Sequence, residues 1–256
     1  MELSFTAYGE GAPLAILHGL FGSGRNWTAI AKKLAESRRV LAVDLRNHGA
    51  SPWDPSMDYA TMAADVLALI GRQRLDRPVV LGHSMGGKTA MAAALAAPDA
   101  IGALIVADIA PVPYRHGNAA YVDAMRRLDL SKIARRGDAD EALRDAVPEP
   151  GVRGFLLQNL VFGDGGPRWQ LNLEIIAASM ERLIGFPFTP GEARYGGPTL
   201  FIAGGASDYV GPGHRDAIRA FFPAARIETI DGAGHWLHAE KPKEFIKIAT
   251  RFLAGL

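Results

Sequence analysis

Short, uninterrupted apolar runs recur through the first 110 residues of the chain, at 13–17, 40–44, 79–82 and 103–108. Runs of this length without polar alternation predict strands covered on both faces. Between them the apolar residues of 27–35, 62–72 and 88–97 return at helical spacing, and Pro98 stops the last stretch. Such alternation predicts an α/β fold: a mostly parallel central sheet with helices on both faces.

From 111 to 196 the pattern changes to helical spacing alone, over 119–134, 152–162 and 169–184, with Gly and Pro as punctuation. Strand-like runs then return at 199–203 and 226–230, and a helix over 241–253 closes the chain. The expected organisation is one α/β core built from 1–110 and 197–256, interrupted by a helical cap at 111–196. A length of 256 residues suffices for one large core with such an insertion.

Composition removes several function classes. With 28 basic and 27 acidic residues the net charge is +1, and no long basic run exists to track a phosphate backbone, so nucleic acid is not an expected partner. The chain has no cysteine, which excludes disulfides, thiolate metal sites and a cysteine nucleophile and fits a reducing cytoplasm. The first residues lack the pattern of a secretion signal, and no apolar run approaches the length of a membrane-spanning helix, so no membrane span is expected. His235 and His238 have the spacing of a metal pair, but no third ligand accompanies them and no metal is expected.

The strongest chemical signal is Val79-Val80-Leu81-Gly82-His83-Ser84-Met85-Gly86-Gly87, an apolar strand that runs into Gly-x-Ser-x-Gly and then a helix. This is the form of a nucleophile elbow, in which a sharp turn lifts a serine hydroxyl above the sheet and the flanking glycines avoid collision. Residues 82–89 equally fit the phosphate-binding loop that ends in Gly-Lys-Thr, and Asp108, after an apolar strand, would then be the magnesium-holding carboxylate. The rest of the chain weighs toward the elbow. A hydrolase needs an oxyanion hole upstream and a histidine downstream, and a phosphate-binding loop needs neither. His18-Gly19-Leu20-Phe21-Gly22 follows the first buried strand and offers the Leu20 N–H as an oxyanion donor, with the Met85 N–H as the second. Asp231-Gly232-Ala233-Gly234-His235-Trp236 places His235 on a glycine-flanked loop after the last strand, where a general base belongs.

These three motifs resemble the α/β-hydrolase superfamily over nearly the whole chain, and Asp108-Ile109-Ala110-Pro111 resembles a branch of small capped esterases found in bacteria and mitochondria. The resemblance implies a serine esterase that acts on small carboxylic esters with short to medium acyl chains, through an acyl-enzyme and without a cofactor. Thioesterase, perhydrolase and carbon–carbon bond hydrolase are the neighbouring reactions; a non-catalytic binding module is a more distant one. The branch implies Asp108 as the acid of the triad, and this is the favoured reading, with Ser207 or Asp208 then a second polar neighbour of the histidine; the commoner superfamily position makes Asp208 the alternative acid. Phe21, Met85, Tyr114, Phe162, Trp169 and Trp236 are candidate pocket residues, whereas Asp44, His83 and Lys88 are read as structural.

Overall fold

The computed structural model describes residues 1–115 and 118–256. In chain order the elements of its first half are β1 (Phe5–Tyr8), β2 (Pro13–Leu17), α1 (Thr28–Leu34), β3 (Arg39–Val43), α2 (Tyr59–Arg72), β4 (Val79–His83), α3 (Met85–Ala96) and β5 (Ala103–Ala107). An inserted segment carries α4 (Ala119–Arg127), α5 (Arg136–Leu143), α6 (Pro150–Leu156), β6 (Leu160–Gly163), β7 (Gly166–Trp169) and α7 (Leu173–Ile184). The chain ends with β8 (Thr199–Gly204), α8 (Arg215–Phe221), β9 (Ala225–Ile230), α9 (Leu237–Glu240) and α10 (Pro242–Leu253).

Seven strands form one sheet in the order β1-β3-β2-β4-β5-β8-β9, parallel throughout except for β1, which runs antiparallel along β3. Alternate side chains of each strand enter different clusters, as the two-residue period of a strand requires. Leu14, Ile16, Val79 and Leu81 pack with Ile30 and Leu34 of α1 and Phe245 and Leu253 of α10. Ala15, Leu17, Val80 and Val106 pack with Met62 and Val66 of α2, Met91 and Leu95 of α3 and Ile218 of α8. Both faces are therefore covered, which is why the strand runs contain almost no polar residue. On α10 the buried residues Phe245, Ala249 and Leu253 recur every fourth position, the stripe that docks an amphipathic helix.

The structure departs from the sequence expectation in four places. The half-exposed edge strand β1 gives no apolar run and was not anticipated, nor was α8, which buries only Ile218 and Phe221. The inserted segment is not wholly helical: α6 ends at Leu156, and β6 and β7 form an antiparallel hairpin closed by Asp164-Gly165, a residue pair suited to a two-residue turn. The helix expected over 119–134 stops at Arg127, where Asp129 accepts the Ser131 N–H and turns the chain into one 3-10 turn. No helix among the described residues is long and apolar enough to cross a membrane.

The parallel strands all point their carboxyl ends to one edge, where an open α/β sheet places its ligand site. His18 follows β2, Asp44 follows β3, Ser84 follows β4, Asp108 follows β5, Ser207 lies just beyond β8 and His235 beyond β9. The inserted segment is bonded to the core beside this edge. Tyr59 Oη donates to the Leu183 carbonyl (2.6 Å), Asn159 Nδ2 to that of Phe21 (2.8 Å) and the Asn172 N–H to that of Asn47 (3.1 Å).

Candidate active site

Ser84 joins β4 to α3 with φ 51° and ψ −117°, a conformation that L side chains rarely adopt. Such a backbone costs on the order of 1–3 kcal/mol and persists only where its surroundings enforce it. Here the enforcement is close packing. A Cβ on Gly82 would meet the Gly86 carbonyl oxygen, and one on Gly86 would meet the carbonyl oxygens of Leu17 and His18. Both glycines of the motif are thus required by contact as well as by the turn.

His235 bridges the serine to a carboxylate. Its Nε2 lies 3.0 Å from Ser84 Oγ and its Nδ1 lies 2.8 Å from Asp108 Oδ2. An ionised carboxylate only accepts, so Nδ1 carries the proton and Nε2 is left to accept from the serine hydroxyl. Asp108 is fully buried at the end of β5 with φ 48°, which swings its side chain across the sheet edge. Its Oδ1 accepts the Gly204 N–H at 2.8 Å, and its Oδ2 also accepts the Ser207 hydroxyl. Asp208 is exposed and stands outside this network. Of the two carboxylates considered from the sequence, the structure brings the favoured one, Asp108, to the histidine.

The imidazole is held from several sides. Tyr209 stacks on it with ring centroids 4.0 Å apart, and His83 Nε2–H donates to the His235 carbonyl at 2.8 Å. His83 is therefore not a residue of purely local role: it ties the turn after β4 to the loop that carries His235, 152 positions away. His238 stacks on Trp27 with centroids 4.2 Å apart and packs against His83.

The oxyanion loop has a comparable support. His18 is buried, its Nε2 accepts the Leu45 N–H at 2.9 Å, and its Nδ1–H therefore donates to the Gly19 carbonyl at 2.8 Å. The Gly22 N–H donates to the same carbonyl at 2.9 Å. In a trans peptide the C=O and N–H point in opposite directions, so fixing the Gly19 carbonyl also fixes the Leu20 N–H. Among the described residues no hydrogen-bond partner takes up that N–H. The Met85 N–H, in the first turn of α3, has no intrahelical partner either. Asp44 accepts the N–H groups of Gly24 (2.7 Å) and Ala50 (2.8 Å) and fixes the loop after β3, as the sequence suggested.

Burial keeps the surrounding histidines neutral. The pKa of His18 is lowered to about 4 and those of His48 and His238 to about 3, in each case chiefly by loss of hydration, and His83 is lowered by the same cause. The unfolded chain takes up these protons near pH 6.5 and the folded chain only well below it, so stability present above pH 6.5 is lost as pH falls. Each of His18, His48 and His238 adds a slope approaching about 1.4 kcal/mol per pH unit below 6.5. Urea unfolding at pH 7.5, 6.0 and 5.0 should show a steady fall in stability across the lower two values; an unchanged free energy down to pH 5.0 contradicts neutral burial.

Two cavities meet at Ser84, and Leu20 and Asn118 line both. One lies on the His235 side and is walled by Phe21, Trp236, Tyr121 and Phe155. The other lies on the Met85 side and is walled by Tyr59, Lys88, Tyr114, Met180 and Tyr209. The expected pocket residues are thus divided. Phe21 and Trp236 line the first cavity and Met85 and Tyr114 the second, whereas Phe162 is exposed on the hairpin and Trp169 is buried opposite Leu160.

Lys88, read from the sequence as a helix residue of little chemical role, is 1% exposed. A signal for this was present: α3 is apolar or small-residue around its whole circumference, and a lysine on such a helix has no solvent side to occupy. Its Nζ donates to the carbonyls of Ile184 (2.9 Å) and Gly185 (2.5 Å) at the end of α7. The phosphate-binding reading fails on the same geometry. Gly82 and His83 belong to β4 and helix α3 begins at Met85, which leaves no loop to cradle phosphates, and Asp108 is engaged by His235, Ser207 and Gly204.

The sequence profile described as the Alpha/beta hydrolase family matches residues 14–248. The chain belongs to the α/β-hydrolase family. It is 43% identical to the sn-1-specific diacylglycerol lipase ABHD11 of Mus musculus over 94% of this chain and 80% of that protein. It is 39% identical to Esterase YbfF of Escherichia coli (strain K12) over 94% of this chain and 93% of that one. Among solved structures, a marine microorganism esterase superposes with a TM-score of 0.94 at 39% identity, covering 98% of this chain and 99% of the other. This member of the family is a serine ester hydrolase.

Proposed function

We propose that the protein cleaves small carboxylic esters through Ser84, His235 and Asp108, with the N–H groups of Leu20 and Met85 as the oxyanion hole. The observation that carries this reading is the continuous hydrogen-bonded line from Ser84 Oγ through His235 to Asp108, placed where the two cavities meet. His235 Nε2 takes the hydroxyl proton as Ser84 Oγ attacks the ester carbonyl carbon. Negative charge that develops on the carbonyl oxygen is met by the two free N–H groups, and the imidazolium is stabilised by Asp108. Collapse of the tetrahedral intermediate releases the alcohol with the proton returned from Nε2 and leaves Ser84 acylated. Water deprotonated by His235 then frees the acid by the same steps in reverse order.

The leaving alcohol oxygen must reach His235 Nε2, so the cavity that His235 and Trp236 line takes the alcohol. The acyl group then occupies the cavity on the Met85 side. Residues 111–196 act as a cap that supplies Tyr121 and Phe155 to the first cavity and Met180 and Leu183 to the second. The proposed substrates are esters of short to medium acyl chains, and the proposed compartment of this cysteine-free chain is the cytoplasm.

A fluorophosphonate probe is expected to attach one equivalent per chain, located to Ser84 by peptide mass spectrometry, with loss of turnover in step. Initial rates on 4-nitrophenyl acetate, butyrate, octanoate and palmitate should then be highest at butyrate or octanoate. Labelling elsewhere in the chain, or a rate maximum at palmitate, overturns the assignment of nucleophile or of substrate class respectively.

A further inference from the structure

The acyl-side cavity contains a cation that the ester mechanism does not use. Lys88 lies four residues after Ser84, one helical turn on, so its side chain leaves α3 on the face that the nucleophile occupies. Its ammonium spans to the end of α7 and also stands 4.8 Å from the ring centroid of Tyr114 and 5.6 Å from that of Tyr59. Around it the wall is Ile109, Met180 and Leu183. Among the described residues no carboxylate forms an ion pair with it.

A buried ammonium compensated only by dipoles and aromatic faces is incompletely stabilised, and burial lowers its pKa to about 7. Two of its three protons are committed to the carbonyls of Ile184 and Gly185, and the third is free for a further acceptor. Fastening α7 to α3 needs only the first two. An acceptor that entered the cavity from the Ser84 side would supply the missing negative charge in a water-poor setting, where charge-assisted hydrogen bonds are strongest.

We propose that Lys88 is a specificity-determining residue of the acyl cavity, where its ammonium receives the distal carboxylate of the acyl group and so favours half-esters of dicarboxylic acids over alkyl esters of equal length. The inference rests on the reading of Ser84 as nucleophile and of this cavity as the acyl side. It adds no chemical step: the ester bond still breaks at Ser84, and the distal carboxylate is bound unchanged.

The test compares kcat/KM, measured by pH-stat, for the monomethyl esters of succinate, glutarate and adipate with methyl butanoate, pentanoate and hexanoate. In the wild type the half-ester is expected to be preferred tenfold or more at one or more lengths. Lys88→Met should lower that ratio by tenfold or more, the loss expected for one charge-assisted contact. A role confined to fastening α7 would change both specificity constants by the same factor, and that result overturns the proposal, as does a wild type that hydrolyses the alkyl ester equally well or better at all three lengths. If Lys88→Met does not fold, the wild-type ratio and the competitive inhibition constants of glutarate and pentanoate decide. Turnover of neither series sinks the esterase reading itself; turnover of both without preference sinks only the role of Lys88.

Discussion

Ser84→Ala is expected to lower kcat for 4-nitrophenyl butyrate by about six orders of magnitude while the melting temperature stays within roughly two degrees of wild type. The two halves of that expectation have separate physical sources. Activity collapses because, among the described residues, no hydroxyl other than that of Ser84, which lies where the cavities meet, is hydrogen-bonded to His235 Nε2. What remains is the oxyanion hole with water as nucleophile, which is a weak catalyst on its own. Stability is nearly unchanged because alanine keeps a Cβ at the same positive φ, so the strain of the elbow is retained and no new contact is made. The lost hydrogen bond to a half-exposed histidine is worth about 1 kcal/mol at most. Esterase activity above a hundredth of wild type in this variant, with contaminating enzyme excluded, removes Ser84 as the nucleophile.

The frame of this molecule was legible in its sequence because burial on both faces leaves a mark that short strands cannot hide. β2 runs over the residues that the apolar pattern marked, and β4, β5, β8 and β9 agree to within one residue at each end. Elements with one dry face left weaker marks: β1 at the sheet edge and α8 with two buried residues were missed. In the inserted segment a helical period was read into apolar residues that form a hairpin. There Phe162 and Trp169 stand outside both cavities, since the pairing of β6 with β7 turns one outward and the other into the core. The elbow, the oxyanion loop and His235 were legible because each needs glycine at a fixed offset. The carboxylate beside His235 was less sharply marked: Asp108 and Asp208 both follow apolar strands, Asp108 was favoured by resemblance alone, and the positive φ that directs it to the imidazole leaves no mark in the sequence. Lys88 was read as a helix residue of little chemical role, and its burial beside Ser84 was marked only by the apolar composition of α3.

Asp108→Asn and Asp208→Asn should differ by about four orders of magnitude in kcat, the first losing about 10⁴ and the second changing by less than about threefold. The carboxylate of Asp108 accepts three hydrogen bonds, from His235 Nδ1, the Ser207 hydroxyl and the Gly204 N–H, and offers no proton of its own. An amide in its place has one accepting atom and one donating atom. Because Gly204 N–H is a fixed backbone donor, the amide oxygen is drawn to it and the NH₂ group turns toward His235 and Ser207. The imidazole responds by presenting Nδ1 as acceptor, which puts its proton on Nε2, facing a serine it can no longer deprotonate. Loss of the negative charge also leaves the imidazolium of the transition state without its buried counter-ion. The exposed Asp208 exerts neither effect, and its removal changes only solvated charge. Ser207→Ala belongs in the same series as a graded case: Asp108 keeps its charge and two of its three donors, so a loss of about tenfold is expected, with the histidine tautomer intact. If Asp208→Asn abolishes turnover and Asp108→Asn leaves it near wild type, the acid is Asp208, and the hydrogen bond between Asp108 and His235 is structural.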